Sequence, residues 1–298
     1  MEMDNPDGLK INMSHSTSDS RALESNATAL PLIVDQITPL IITYNEAPNI
    51  ERVLEKLAWA KRILVIDSGS TDGTLELLKQ CPQVTVLHRT FDSFAAQCQF
   101  GLAAVDTEWA LSMDADYVLS DDLVGALRSL PNDATLAGYE VSFKYCVWGK
   151  PLVATLYPPR TVLYRVSKAT YADEGHGHRV RVEGRVIRLR APIYHDDRKS
   201  LSRWLASQGR YAALEADHLL SAPTASLSRR DRIRLLGWIA PFFVFAYVFF
   251  WKGCFLNGRR GWFYALQRLF AEVILALEIN ERRGLRKSGG KSPRFERK

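Results

Sequence analysis

Leu111-Ser-Met-Asp-Ala-Asp116 is the stretch on which the reading of this chain turns. A mostly apolar run, Trp109 to Met113, ends in two carboxylates spaced i, i+2. Alternate residues of an extended chain point the same way, so Asp114 and Asp116 face one point beyond the end of a strand. Hard divalent cations take one or two carboxylates together with substrate phosphates, and open α/β sheets bind ligands beyond the carboxyl ends of their strands. In isolation the pair also suits a turn that caps the next helix, so the flanking sequence must decide.

Upstream, strands and helices alternate. Pro39 to Ile42 is a short apolar strand, followed by Thr43-Tyr-Asn-Glu46 and by Pro48, which suits a first helical turn. Ile50, Val53, Leu54 and Leu57 recur at helical spacing. Ile63 to Ile66 is a second strand, leading into Asp67-Ser-Gly-Ser-Thr-Asp-Gly-Thr74, a tight turn whose glycines permit positive φ. A helix ending near Cys81-Pro82, a strand Val84 to Leu87 and a helix Phe94 to Ala104 precede the strand Trp109 to Met113. Alternation of this kind predicts an α/β fold, a mostly parallel sheet with helices on both faces. Three strand ends then carry polar groups along one rim: Thr43 to Glu46, Asp67 to Thr74, and Asp114 with Asp116. Neither a P-loop nor a dinucleotide fingerprint is present, so a metal on Asp114 and Asp116 is the expected counter-charge for bound phosphates.

Downstream the pattern is less regular. Gly138 to Val147 alternates as a strand does, Trp148-Gly-Lys-Pro151 is a turn, and Thr161 to Val166 is a strand. Tyr171 to His178 reads as a glycine-interrupted polar loop containing Asp173, Glu174, His176 and His178. A carboxylate or a histidine there suits proton abstraction, and the two histidines suit contact with a diphosphate. His195 and Asp196 follow a strand-like Val186 to Leu189 and are placed to complete a metal shell, steer a diphosphate or cap the helix Leu201 to Leu219. Arg198 and Lys199 are further pyrophosphate candidates.

Ile41-Ile-Thr-Tyr-Asn-Glu46, Val65-Ile-Asp-Ser-Gly-Ser-Thr-Asp-Gly-Thr74 and Leu111 to Asp116 together resemble the family 2 glycosyltransferases of the GT-A fold, and within them the bacterial lipopolysaccharide core β-1,4-glucosyltransferase group. The resemblance runs from about Thr38 to Ala216. It implies a nucleotide-sugar donor, a divalent metal (Mn or Mg) and inversion at the anomeric carbon. It further implies that Thr43, Asn45, Glu46 and Asp67 line the nucleoside pocket and that Asp114 and Asp116 hold metal and diphosphate. Gln97 faces the donor by the same likeness, although Cys98 stands where the group has Lys and Tyr117 where it has Glu. The acceptor-side acidic loop of the family falls at Asp173 and Glu174, the candidate bases.

Charge and composition bound the rest. Hydrophobic residues make up 47% of the 298, normal for a globular protein. Four dispersed cysteines form no zinc or disulfide framework. Residues 226–298 hold sixteen Lys/Arg against five Asp/Glu, whereas the remainder is net acidic. In that basic segment Leu235 to Trp251 is uncharged, is broken by Pro241 and is short of the ~20 residues a bilayer span needs. Basic residues on both sides favour a re-entrant or in-plane segment over a crossing. Trp262 to Ile279 is a second amphipathic stretch, and a buried helical hairpin is the competing reading. Nucleic acid is a poor match for so phenylalanine-rich a segment.

The expected organisation is a disordered leader to residue 35, a GT-A domain over 36–225, a basic apolar helical membrane-associated region over 226–284, and a basic disordered tail from 285. The expected partners are a nucleotide sugar, a glycan or lipid-linked acceptor and the cytoplasmic face of the inner membrane, bound peripherally or monotopically. A polyprenyl-phosphate glycosyltransferase and an inactive scaffold of the same fold are the alternatives.

Overall fold

Strand and helix alternate up to Asp114 in the computed structural model, which describes residues 30–153, 156–174 and 177–287. The order is β1 (Ile37–Thr43), α1 (Ile50–Lys56), β2 (Ile63–Asp67), α2 (Thr74–Lys79), β3 (Val84–His88), α3 (Phe94–Ala103) and β4 (Trp109–Asp114). The four strands pair in parallel as β3-β2-β1-β4. β1 and β2 are buried at nearly every position, as strands covered on both faces must be. Ile41 and Val65 pack with Ile50 and Val53 of α1 on one face, whereas Leu40 and Ile66 pack with Leu102 of α3 on the other.

After β4 the sheet changes character. β5 (Tyr117–Leu119) and α4 (Asp121–Ser129) lead to the long β6 (Leu136–Val147), followed by β7 (Lys150–Pro151) and β8 (Arg160–Arg165). β9 (Ala169–Glu174) and β10 (Gly177–Val182) precede β11 (Arg185–His195). The main sheet runs β3-β2-β1-β4-β8-β6-β11-β5, with β7 against β6. β8 is antiparallel to both β4 and β6, and β5 to β11; β11 is parallel to β6. The expectation of a mostly parallel sheet therefore holds only to β4, and the whole sheet is mixed. Among the described residues no helix lies between β6 and β8, and without such a crossover neighbouring strands run antiparallel.

Tyr171 to His178, expected to be a loop, is instead largely strand: β9 and β10 form a separate antiparallel hairpin. Ala169, Tyr171, Val180 and Val182 alternate onto Leu102 and Tyr164, and this period-2 apolar face is what makes the segment extended. At the other end of the domain, Ile33 lies within the stretch expected to be leader yet is fully buried, and its amide donates to the Leu130 carbonyl. Residues 1–29 and 288–298, which hold most of the expected leader and tail, lie outside the described residues.

The C-terminal region packs onto this domain. α5 (Leu201–Ser221) is followed by α6 (Arg229–Arg234), α7 (Ala240–Ala246) and α8 (Arg259–Lys287). Pro241 sits in the first turn of α7, where its missing N–H costs nothing, and the apolar run is divided into short helical pieces. Among the described residues no helix is long and apolar enough to cross a membrane. Ala212, Ala216 and Leu219 of α5 pack on Leu275 and Ile279 of α8. Arg234 of α6 reaches Glu215 of α5 at 2.8 Å and Glu272 of α8 at 2.7 Å, clamping the three helices.

Two glycines test the packing. A Cβ on Gly101 of α3 would lie 2.5 Å from Leu40 Cδ1 and 2.9 Å from Ile66 Cγ1, whereas one on Gly125 of α4 would meet nothing within 4 Å. Gly101→Ala should destabilise the protein by about 1–3 kcal/mol through overpacking. Gly125→Ala should stabilise it by roughly 0.5–1 kcal/mol by removing a helical glycine. Urea unfolding of the two variants, read by circular dichroism, checks both signs.

Candidate active site

The polar strand ends meet as the topology requires. Thr43 lies opposite Asp67, and Ile42 opposite Asp114, in adjacent parallel strands. The loops beyond β1 and β2 interlock. Asn45 adopts φ +57°, its amide donates to Ser70 Oγ at 2.7 Å, and its Oδ1 accepts from the Thr71 amide at 2.7 Å. The Glu46 amide donates to Thr74 Oγ1 at 2.8 Å. Asp67 is buried and shapes its own turn: Oδ2 accepts from the amides of Gly69 (2.8 Å) and Ser70 (3.0 Å), and Oδ1 from Ser70 Oγ (2.5 Å). Gln97 lies behind this turn, its Nε2 donating to Ser68 Oγ and to the Arg89 carbonyl, both at 2.8 Å.

A second cluster forms where β5 meets the end of β11. His195 lies opposite Tyr117, and the Asp196 amide donates to the Asp116 carbonyl at 3.1 Å. The His195 ring is ringed by Tyr117, Tyr145 and Tyr157 at centroid distances of 5.4, 5.0 and 4.8 Å, and its Nε2 lies 3.1 Å from Asp116 Oδ2. Burial would push each member of this pair toward its neutral form. Their mutual attraction prevails, lowering the Asp116 pKa and, with help from Asp114 and Asp197, raising that of His195. The net direction is an ionised pair. Asp116 Oδ1, His195 Nδ1 and Thr43 Oγ1 remain buried without a hydrogen-bond partner. Such atoms are rare and mark a place for an ion, a water or a ligand.

The loop after β11 is stitched to the start of α1. Asn49 Nδ2 donates to Glu46 Oε2 (2.8 Å) and Asp197 Oδ1 (3.1 Å), and the Arg198 amide donates to Asn49 Oδ1 (2.9 Å). Arg52 and Arg198 both bond the buried Asp196 carboxylate. Lys199 Nζ donates to Glu46 Oε1 at 2.6 Å. Burial raises the Glu46 pKa despite the opposing Lys199, whereas Lys199 is raised because Glu46, Asp116 and Asp197 outweigh its own burial.

Glu46, Asp116, His195 and Lys199 thus converge, and Asp114 lies close enough for its charge to act on His195. Thr43, Asn45 and Asp67 form the adjoining rim. Asn49 and Arg52 were not singled out from the sequence: on the first turn of an ordinary amphipathic helix, nothing marks them until the loop after β11 is known. Cys98, where the resembling group has Lys, is buried, and burial together with Asp114 pushes its thiol far up, so the position is uncharged. Asp173 and Glu174 end β9. Tyr171, two residues before Asp173, donates its hydroxyl to Ser112, two residues before Asp114, at 2.8 Å. β9 therefore ends beside the end of β4. His176 and the side chains of Asp173 and Glu174 lie outside the described residues.

Among the described residues no group of three or more His, Cys, Asp or Glu side chains is gathered to hold a metal. Two carboxylates suffice for a cation that shares substrate phosphates, and the orphaned Asp116 Oδ1 fits such a ligand.

Residues 39–160 match the model of the glycosyl transferase family 2. The lipopolysaccharide core biosynthesis glycosyltransferase LpsC of Rhizobium meliloti is 25% identical over 264 residues, covering 84% of this chain and 94% of LpsC. An uncharacterized glycosyltransferase of Rickettsia bellii is 22% identical over 84% of this chain and 88% of its own. Among solved structures, S. aureus TarS residues 1–349 in complex with UDP-GlcNAc overlays at a TM-score of 0.43 with 15% identity, over 86% of this chain and 93% of that one.

Arg52→Met should lower stability by about 2 kcal/mol, less than the loss of a fully buried pair because Arg198 still neutralises Asp196. Chemical denaturation measures the loss, and Arg52→Lys should recover part of it.

Proposed function

Since the chain is a glycosyltransferase carrying a family 2 domain over residues 39–160, we propose that it moves a sugar from a uridine-diphosphate donor to a lipopolysaccharide-type glycan, with inversion and with a divalent metal. The observation that carries the reading is Asp116: a buried, ionised carboxylate with one orphaned oxygen, beside Asp114 at the mouth of β4. The name of the Rhizobium relative supports a lipopolysaccharide core acceptor.

Each residue has a part. Thr43, Asn45 and Asp67 shape the rim against which the nucleoside lies. Asp114 and Asp116 would hold the cation, which when bound offsets charge on the leaving diphosphate. His195 fixes the orientation of Asp116, and Lys199 adds a cation whose position is set by Glu46. Asp173 or Glu174 accepts the proton of the acceptor hydroxyl as its oxygen attacks the anomeric carbon. The bond from that carbon to the diphosphate oxygen breaks, and the nucleotide leaves with the electron pair. Attack in line gives inversion with no covalent sugar–enzyme intermediate.

The C-terminal region supports peripheral attachment at the cytoplasmic face of the inner membrane. Trp238, Phe242, Phe243, Phe250, Trp251 and Leu256 are exposed, and Trp262, Leu266, Phe270 and Leu277 form a second exposed stripe along α8 at spacings of four, four and seven. Apolar patches of this kind are unusual on a free surface. Arg229, Arg230, Lys252, Arg259 and Arg260 flank these residues in the sequence, so apolar insertion and attraction to anionic headgroups would act together.

Two experiments follow. Purified protein incubated with a panel of nucleotide sugars should release nucleotide from one of them with Mn or Mg and not with chelator, and Asp114→Ala/Asp116→Ala should slow release at least ~100-fold. No release from any donor would overturn the transferase reading of this site. Separately, the protein should float with anionic vesicles and far less with phosphatidylcholine alone. Phe250→Glu/Trp251→Glu should abolish flotation while leaving donor turnover intact.

A further inference from the structure

We propose that the cavity enclosed by the β6–β7 turn, the loop after β11 and α8 is a carbohydrate subsite that stacks a sugar ring of the acceptor on Trp148. The inference rests on the transferase reading and extends it to acceptor recognition.

The turn itself gives the first reason. Val147 and Lys150 pair across a two-residue connection, Trp148-Gly149, in which both residues have positive φ, +52° and +73°. A two-residue hairpin of this kind favours Asn-Gly or Gly-Gly. A tryptophan in the left-handed region costs on the order of 1 kcal/mol. Turn geometry does not call for it, and neither does the core, since Trp148 is 62% exposed. An exposed side chain held at a conformational cost is better accounted for by what it binds.

The surroundings give the second. The cavity measures about 380 Å³ and is lined by Tyr145, Trp148, Trp204 and Phe263, with Asp197 and Gln267 among its polar groups. Aromatic walls with a few polar groups, in the size range of about 300–1,000 Å³, describe a small-molecule site. A sugar ring offers apolar C–H faces to such walls and hydroxyls to such polar groups. Trp148 is steadied by Phe263 of α8 at a centroid distance of 5.2 Å. Gly149 lets Arg198 approach the turn: a Cβ there would lie 2.7 Å from the guanidinium.

The third reason is position. Tyr145, on the inner wall, is 5.0 Å from the His195 ring, which bonds Asp116. The cavity therefore lies one side chain from the proposed diphosphate site, and Lys199 in its lining reaches Glu46 in the loop after β1. A glycan seated on Trp148 would approach the donor from the α8 side, where the exposed apolar surface begins.

The test uses full-length protein and a delipidated lipopolysaccharide core oligosaccharide, beside a series of methyl hexosides. Wild type should show a saturable change in tryptophan fluorescence with the oligosaccharide or a hexoside, lost in Trp148→Ala. In transfer assays Trp148→Ala and Gln267→Ala should raise the acceptor KM at least ~10-fold while donor hydrolysis without acceptor is unchanged. Trp148→Gly relaxes the turn, so it should be at least as stable as wild type and equally weak for acceptor, separating stacking from folding. An unchanged acceptor KM in Trp148→Ala, or no saturable response of wild type to any of these sugars, overturns the subsite. Loss of donor hydrolysis in wild type would instead strike at the transferase reading.

Discussion

Two buried carboxylates, Asp116 and Asp196, govern this molecule. An uncompensated charge in the interior is costly, so each must be answered by a cation. Asp196 is answered by Arg52 and Arg198, and Asp116 by His195. Those answers come from α1 and from the end of β11 with the loop that follows it, elements more than a hundred residues apart. The parallel half of the sheet and its mixed half are joined at the site by this charge balance as well as by the β4–β8 pairing. One oxygen of each carboxylate, Asp116 Oδ1 and Asp196 Oδ1, is left without a hydrogen-bond partner, and the proposed chemistry enters at Asp116.

The C-terminal region has two faces with different uses. Leu275 and Ile279 of α8 pack on the small residues of α5, and the buried ionic clamp through Arg234 holds α6 and α8 in place. Tyr264 and Ala265 close over Val147 and Leu152 of the catalytic domain. The side turned away keeps its aromatic residues in solvent. A segment that both walls the acceptor cavity and offers an apolar basic surface would bring a lipid-linked glycan and the donor site into one geometry.

Much of this was legible in the sequence. Period-2 and helical spacing placed the elements through β4, and the three polar strand ends located the rim, because a parallel βα alternation leaves few topologies. The mixed half was not legible. The β9–β10 hairpin was obscured by Gly175, Gly177 and the charged residues around them, although Ala169, Tyr171, Val180 and Val182 alternate correctly. Pro241 marked a break in the apolar run Leu235 to Trp251, but no local pattern showed that its pieces bury Val248 and Phe249 and expose their neighbours. The roles of Asn49 and Arg52 depend on a partner loop nearly 150 residues away, and no local pattern encodes such a contact. His195 was visible as a candidate, but its ring of three tyrosines was not, since β5, β6 and the segment before β8 meet only in the folded sheet.

The central claim is that Asp114 and Asp116 hold a divalent cation jointly with the diphosphate of the donor. Electron paramagnetic resonance of Mn bound to the full-length protein measures this directly. With uridine diphosphate added, the wild type should retain Mn that is lost from the free-ion signal, and Asp114→Ala/Asp116→Ala should leave that signal undiminished. Equal retention of Mn by wild type and double mutant would contradict the account.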